Sequence, residues 1–245
     1  MRIEERLVAG IKKNALFAVL LDPDASESDA FLKTGKMAFE AGADLILVGG
    51  SLIGNAGLPK KVAELKSFID IPVVLFPGGA SQVVPGFDAM LFTSLVSGRN
   101  PQYLIEEQLR GGLMVKALGI EALPTAYILI NSGPATAVEY ISNTKAIPAN
   151  KAKLTMAHAI ASELMGMRWV YLEAGSGAEN PVPLDHIVMT RKATNLNIIA
   201  GGGIITPQDA RDRVKAGAHV IVTGTIWEKN PDANLMREFA SAVRG

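Results

Sequence analysis

This sequence predicts an α/β protein, a single domain over residues 1–245 in which eight parallel strands close into a (β/α)8 barrel. Three observations carry that reading. The chain has 245 residues, the ordinary size of such a barrel and enough to bury about 70–75% of the unfolded surface without staples. Eight short apolar runs recur along it, most of them closed by Gly, Pro, Asp or Ser; continuous apolar runs rather than alternation mark strands buried on both faces. Helical stretches with apolar residues three and four apart lie between most of these runs, and alternating β and α elements imply a parallel sheet with right-handed crossovers.

In order, the strands are expected at Ala15–Leu21, Leu45–Val48, Val73–Phe76, Ala89–Phe92, Ala126–Ile130, Arg168–Leu172, Asn197–Ala200 and His219–Val222. The clearest helices are Glu27–Glu40, Leu104–Leu118, Lys151–Leu164 and Pro207–Lys215. Pro207 opens the last of these behind Thr206 as N-cap, which is a start signal. One unit is irregular. Between the third and fourth strands, residues 77–88 contain Pro77, Gly78, Gly79, Pro85 and Gly86, too few and too broken for a crossover helix. The outer ring of helices should have a gap there, either a tolerated deletion or an opening that admits something long and apolar.

Composition narrows the function. Lys and Arg number 24 against 24 Asp and Glu, so no basic field supports nucleic-acid binding or a strong electrostatic membrane anchor. No cysteine is present, which excludes disulfides and thiolate metal sites and permits cytoplasmic residence. Arg2, Glu4, Glu5 and Arg6 argue against a signal peptide. No apolar run reaches the length of a membrane-spanning helix.

The candidate site lies at strand ends. Tyr171, Leu172, Glu173, Ala174, Gly175, Ser176 and Gly177 close the sixth strand, Gly202 and Gly203 the seventh, Gly224 and Thr225 the eighth. Small residues with approachable backbone N–H groups after the late strands of a parallel barrel suit a bound phosphate. Glu173 beside such a phosphate can accept a proton from a substrate hydroxyl, with Tyr171 hydrogen-bonding the same substrate; an ordinary loop glutamate and a half-buried tyrosine are the alternative. Asp22, at the end of the first strand, is placed to bind Mg2+, which favours one or two carboxylates plus substrate phosphates. On local sequence alone the Asp22-Pro23-Asp24 run reads more readily as turn and capping chemistry. Ser51, closing the second strand, places a hydroxyl near Asp22. Asn100-Pro101 signals a helix start, while Arg99 either belongs to that loop or faces an anion. His158, His186 and His219 do not cluster and read as structural.

Taken together these pieces resemble the geranylgeranylglyceryl phosphate synthase family of prenyltransferases. The likeness runs in order through Leu-Asp-Pro-Asp at 21–24, Val-Gly-Gly-Ser at 48–51, Phe-Pro-Gly at 76–78 and Ser-Leu-Val-Ser-Gly-Arg-Asn-Pro at 94–101. It continues through Pro-Thr-Ala-Tyr-Ile-Leu-Ile-Asn at 124–131, Tyr-Leu-Glu-Ala-Gly-Ser-Gly-Ala at 171–178, Gly-Gly-Gly-Ile at 201–204 and Gly-Thr-Ile-Trp-Glu at 224–228. The resemblance implies a modified TIM (β/α)8 barrel whose third helix is missing or replaced by a short irregular segment. It implies prenyl transfer, of geranylgeranyl in the first instance, from a prenyl diphosphate to the C3 hydroxyl of sn-glycerol 1-phosphate. It also implies Mg2+ on Asp22 and Ser51, and glycerol phosphate on Tyr171 to Gly177, Gly202, Gly203, Gly224 and Thr225. Glu173 would orient or deprotonate the hydroxyl, Tyr127 would lie in the substrate pocket, and the protein would be a homo-oligomer, dimer or hexamer. The competing readings are another phosphate-binding barrel, such as a sugar-phosphate isomerase or a thiamin-phosphate-synthase-like enzyme, and a non-catalytic sensor of a phosphate-bearing ligand.

Overall fold

Each of the eight apolar runs forms a strand in the computed structural model, which describes residues 1–24, 28–50, 53–54, 57–229 and 231–245. The strands are β1 Leu16–Leu21, β2 Leu45–Val48, β3 Val73–Leu75, β4 Ala89–Leu95, β5 Glu121–Leu129, β6 Trp169–Glu173, β7 Asn197–Gly201 and β8 Val220–Thr223. All neighbours pair in parallel, and β1 pairs with β8, so the barrel closes in sequence order. The two-residue side-chain period of a strand divides the core in two. Ala18, Leu47, Val74, Leu91, Ile199 and Val222 fill the barrel interior, while Val19, Ile46, Leu75, Met90, Ile128 and Leu172 point outward beneath the helices.

Ten helices surround the strands among the described residues: α1 Ile3–Ile11, α2 Ser28–Glu40, α3 Leu58–Lys66, α4 Glu107–Leu118, α5 Ala137–Ser142, α6 Ala152–Leu164, α7 Leu184–Ala193, α8 Pro207–Ala216, α9 Ile226–Lys229 and α10 Ala233–Arg244. The α8 start is as expected: the Thr206 hydroxyl accepts the Asp209 N–H and Asp209 reciprocates, a capping box behind Pro207. Helix α1 closes the floor of the barrel, packing Leu7 on the interior cluster. Glu121 accepts the Ile3 and Glu4 N–H groups at 2.7 and 3.2 Å, and Glu4 in turn accepts from Arg168 at 2.6 and 2.9 Å and from the Trp169 indole at 3.0 Å.

The irregular unit is where the sequence places it. Between β3 and β4 the chain makes only a three-residue 3-10 turn, Ala80–Gln82, so the third crossover has no α-helix. Many element ends differ from expectation by a residue, β4 runs on to Leu95, and two differences carry a structural reason. β5 begins at Glu121 rather than Ala126 because Pro124, which lacks the N–H of a ladder residue, is accommodated: it pairs with Phe92 and its carbonyl accepts from Arg168. The helix expected at Leu104–Leu118 opens with a π-helical turn, Gln102–Glu106, before α4. Such turns are irregularities common beside functional sites.

Candidate active site

The C-terminal ends of the strands open on one cavity of about 960 Å³ with two unlike halves. The polar half is formed by Asp22 after β1, Gly49 and Gly50 after β2, Glu173, Ser176 and Gly177 at and after β6, Gly202 and Gly203 after β7, and Gly224 and Thr225 after β8. The apolar half includes Phe76, Val83, Met90, Phe92, Tyr103 and Ile141. Met90 faces outward from the barrel, so this half lies beside the barrel wall, in the space a third crossover helix would occupy.

Three aromatic rings floor the junction. Phe76 stacks on Tyr171 with centroids 4.9 Å apart, and Tyr127 meets both edge-on at 5.8 and 5.7 Å. Tyr171 reaches Glu173 through its hydroxyl. Glu173 is 5% exposed and also accepts the Gly175 N–H at 2.8 Å. Burial pushes its carboxyl up from the ordinary 4.5 to about 7, while the hydrogen bonds from Gly175, Tyr171 and Ala174 pull the other way. Burial, reinforced by the negative Glu173, raises both tyrosines well above the usual phenol value, so they remain protonated hydrogen-bond groups. A buried carboxyl that titrates near neutrality at a barrel mouth is suited to proton transfer.

The glycines of this face are shaped by packing as well as by backbone exposure. A β-carbon on Gly201 would fall on the Tyr171 hydroxyl. Gly202 and Gly203 have φ of +78° and +66°, the left-handed region; a β-carbon on Gly202 would strike Glu173 Oε1, and one on Gly203 would lie 2.7 Å from the Asn180 carbonyl carbon. The run at 201–203 therefore lets β7 approach the loop after β6 closely. That loop is tied elsewhere too. Ser132 donates to the Ala174 carbonyl at 2.9 Å, Asn180 to the Ser132 carbonyl at 3.0 Å, and Arg213 of α8 to the Val182 carbonyl at 3.2 Å. The Ser176 and Thr225 hydroxyls meet at 3.2 Å, joining the loops after β6 and β8.

Most of the residues singled out from the sequence converge here: Asp22, Tyr127, Tyr171, Glu173, Ser176, Gly177, Gly202, Gly203, Gly224 and Thr225 all line the cavity. Leu172 and Ala174 belong to the outer core, their side chains turned to the helices. Gly175 supports Glu173 from behind. Ser51 lies outside the described residues. Asp24 is a loop tie, accepting the Gly54 N–H, and Arg99 is exposed, donating to the Gly98 carbonyl at 2.7 Å and lying 3.4 Å from His158. Asn100 caps the turn that follows, accepting the Gln102 N–H at 3.1 Å. The histidines are structural: His186 is buried between Thr155 and the Ala149 carbonyl, and His219 accepts the Ile198 N–H at 2.9 Å. Burial and the nearby Arg191 hold His219 down at about 4. Tyr103, Glu107, Gln108 and Glu228 also line the cavity although the sequence did not single them out. The first three come from a helix whose register only the structure fixes.

Asp22 sits against the end of β2, since a β-carbon on Gly50 would lie 2.6 Å from its Oδ2. No group of three or more His, Cys, Asp or Glu able to enclose a metal ion exists among the described residues. A hard cation at Asp22 would draw much of its shell from substrate oxygens and water, the ordinary habit of Mg2+, and a carboxylate at this mouth fits that ion.

Residues 9–243 match the PcrB family. The chain belongs to the PcrB family. Among its relatives are proteins named geranylgeranylglyceryl phosphate synthase from Korarchaeum cryptofilum, 41% identical with all of both chains covered, and from Spirosoma linguale, 40% identical over 93% of each. A solved structure, the (S)-3-O-geranylgeranylglyceryl phosphate synthase of Thermoplasma acidophilum in complex with its substrate sn-glycerol-1-phosphate, superposes with a TM-score of 0.94 at 29% identity, covering 100% of this chain and 99% of that one. The thiamine phosphate pyrophosphorylase of Pyrococcus furiosus, with TM-score 0.62 and 12% identity over 95% of this chain and 97% of that one, shares the barrel architecture.

Proposed function

We propose that this protein is a prenyltransferase that joins a long-chain prenyl diphosphate, geranylgeranyl diphosphate in the first instance, to the C3 hydroxyl of sn-glycerol 1-phosphate. The observation that carries the reading is the single cavity whose polar mouth, built for an anion and a proton transfer, continues into an apolar arm through the gap left by the third helix. A prenyl tail is too long for a barrel interior filled by side chains, and this arm gives it a sideways exit.

The acceptor phosphate sits against the backbone of Ser176, Gly177, Gly203 and Thr225, with its C3 hydroxyl toward Glu173. The allylic C1–O bond of the donor breaks, C1 bonds to the C3 oxygen, diphosphate departs, and the hydroxyl proton passes to Glu173, which Tyr171 and the Gly175 N–H hold in place. Allylic charge is delocalised, so the protein has mainly to position the hydroxyl and exclude water. The aromatic floor of Phe76, Tyr127 and Tyr171 keeps water out and sets aromatic rings near the developing positive charge. Mg2+ held at Asp22 and Ser51 would neutralise the leaving diphosphate. The ridge Ile105, Leu109 and Leu113, 60%, 67% and 80% exposed, supports a homo-oligomer, dimer or hexamer. No helix among the described residues is long and apolar enough to cross a membrane, which fits a cytoplasmic enzyme that passes its product to a membrane.

Incubation with radiolabelled geranylgeranyl diphosphate, sn-glycerol 1-phosphate and Mg2+ tests this. The expected result is an ether-linked product, lost on EDTA treatment and in Asp22→Ala. Turnover of a sugar phosphate alone would favour the isomerase reading, and binding without turnover a sensor. Activity indifferent to both EDTA and Asp22→Ala would remove the metal from the mechanism.

A further inference from the structure

We infer that Gln82 is a positioning residue that sets the donor half of the site, from within the segment that replaces the third helix. The inference rests on reading the Asp22 end of the cavity as the diphosphate half. Gln82 closes the 3-10 turn and is 5% exposed. A polar side chain buried that deeply is costly unless hydrogen-bonded, and both ends of this amide are partnered. Its Oε1 accepts the Gly78 N–H at 2.7 Å, and its Nε2 donates to the Gly50 carbonyl at 3.3 Å. The partners fix the orientation of the amide, since one offers only a donor and the other only an acceptor.

Those two partners belong to the loops after β3 and β2, and the site is built between them. Gly50 lies against Asp22 Oδ2. Gly49 is so close to the Phe76 carbonyl that a β-carbon there would strike it, and the Phe76 ring stacks on Tyr171. A displacement of Gly50 would therefore be felt at the carboxylate on one side and at the aromatic floor on the other. In a regular unit a crossover helix would follow the loop after β3 and anchor it against the barrel wall. Here a three-residue turn does so, with the Gln82 amide supplying the ties inward and Glu107 of α4 accepting the Ala80 N–H at 2.6 Å from outside. The thin brace holds the donor end while leaving room for the apolar arm.

Two variants test the role. Gln82→Met keeps the length of the side chain and removes both hydrogen bonds. Gln82→Glu keeps the acceptor for Gly78 but sets an oxygen against the Gly50 carbonyl. In each, KM for the prenyl diphosphate should rise roughly tenfold or more, as for other groups that orient a metal ligand. The affinity for manganese with inorganic pyrophosphate, read by calorimetric or spin-resonance titration, should fall by a similar factor. The calorimetric affinity for sn-glycerol 1-phosphate should stay at the wild-type value. Unchanged donor KM and unchanged manganese pyrophosphate affinity in a folded variant would overturn the role. So would a parallel loss for both substrates that tracks Tm, which is what a merely structural glutamine gives. Wild-type protein that binds manganese pyrophosphate but makes no ether product would refute the proposed reaction while leaving the Gln82 role readable in the titration. Wild-type protein that binds none would remove the donor half and the role with it.

Discussion

At the scale of single residues, Glu173 is where the chemistry is most exposed to measurement. Its carboxyl is raised to about 7, first by burial, and a raised carboxyl makes ionisation cost folding energy. The folded chain holds the proton to higher pH than the unfolded chain does, so stability falls as pH rises from the ordinary 4.5 through about 7. Glu173→Gln should then be more stable than wild type at pH 8, by about 1–3 kcal/mol after allowing for the hydrogen bonds the amide loses. That gain should vanish below the unfolded value. The same substitution should abolish most prenyl transfer, because an amide accepts no proton. In wild type, kcat/KM should climb through a pKa near 7 as the base ionises. Thermal scans and rates across pH check both halves; a Glu173→Gln protein less stable than wild type at pH 8 would contradict the burial argument. The places of Glu173 and Asp22 at the cavity were legible in the sequence because the C-terminal end of a barrel strand opens on the mouth. Gln82 was not. Its partners, Gly50 and Gly78, are joined to it by folding rather than by any local pattern.

At the scale of elements, the missing helix was the most readable irregularity, because Pro77, Gly78, Gly79, Pro85 and Gly86 are residues whose backbone constraints act locally. The existence of all eight strands was equally plain, with Leu45–Val48 right at both ends and the fourth and fifth longer than their apolar runs. What stayed hidden was the outer wall of the apolar arm. Tyr103, Glu107, Gln108 and Gly111 come from α4 and the π-helical turn before it, and an inserted residue in a helix shifts which face meets the groove without altering composition. Gly111 offers the clean test of that wall. A β-carbon there would sit 3.4 Å from the Ala80 side chain, an ordinary contact, so Gly111→Leu extends a side chain into the arm beside Val83. Removing a helical glycine should itself stabilise α4 by up to about 1 kcal/mol. The expected outcome is a folded enzyme whose preference shifts toward shorter donors by roughly tenfold or more, the scale of excluding a few methylenes from an apolar pocket, with glycerol-phosphate affinity intact. Competition between geranyl and geranylgeranyl diphosphate measures it. Unchanged preference would mean that the tail leaves by another route.

At the scale of the whole molecule, the barrel separates chemistry at the strand C-terminal ends from stability at the floor, and one substitution type makes the separation measurable. The floor helix α1 is held through Glu4, whose carboxylate accepts from Arg168 at 2.6 and 2.9 Å and from the Trp169 indole at 3.0 Å. Burial alone would raise its pKa. The hydrogen bonds from Arg168 and Trp169 and the charges of Arg168 and Arg2 outweigh that and leave it below the ordinary 4.5. The sign is opposite to that of Glu173. A depressed carboxyl stabilises the fold above its unfolded pKa, and the contribution is lost as pH falls through the folded value. Glu4→Gln should therefore cost about 1–2 kcal/mol at pH 7, discounted for an arginine that is largely in solvent, and the gap to wild type should close as pH drops below 4.5. Kinetics should not follow. KM for both substrates and the pH profile of kcat/KM should match wild type at temperatures where both proteins are folded, because the floor and Glu173 lie at opposite ends of strands whose interior is filled by Leu47, Val74, Leu91 and Ile199. Two glutamate-to-glutamine variants in one barrel would then shift stability in opposite directions at neutral to basic pH, only the upper one altering turnover. A Glu4→Gln protein with a displaced kinetic pKa would show instead that the floor and the mouth are mechanically coupled through that interior.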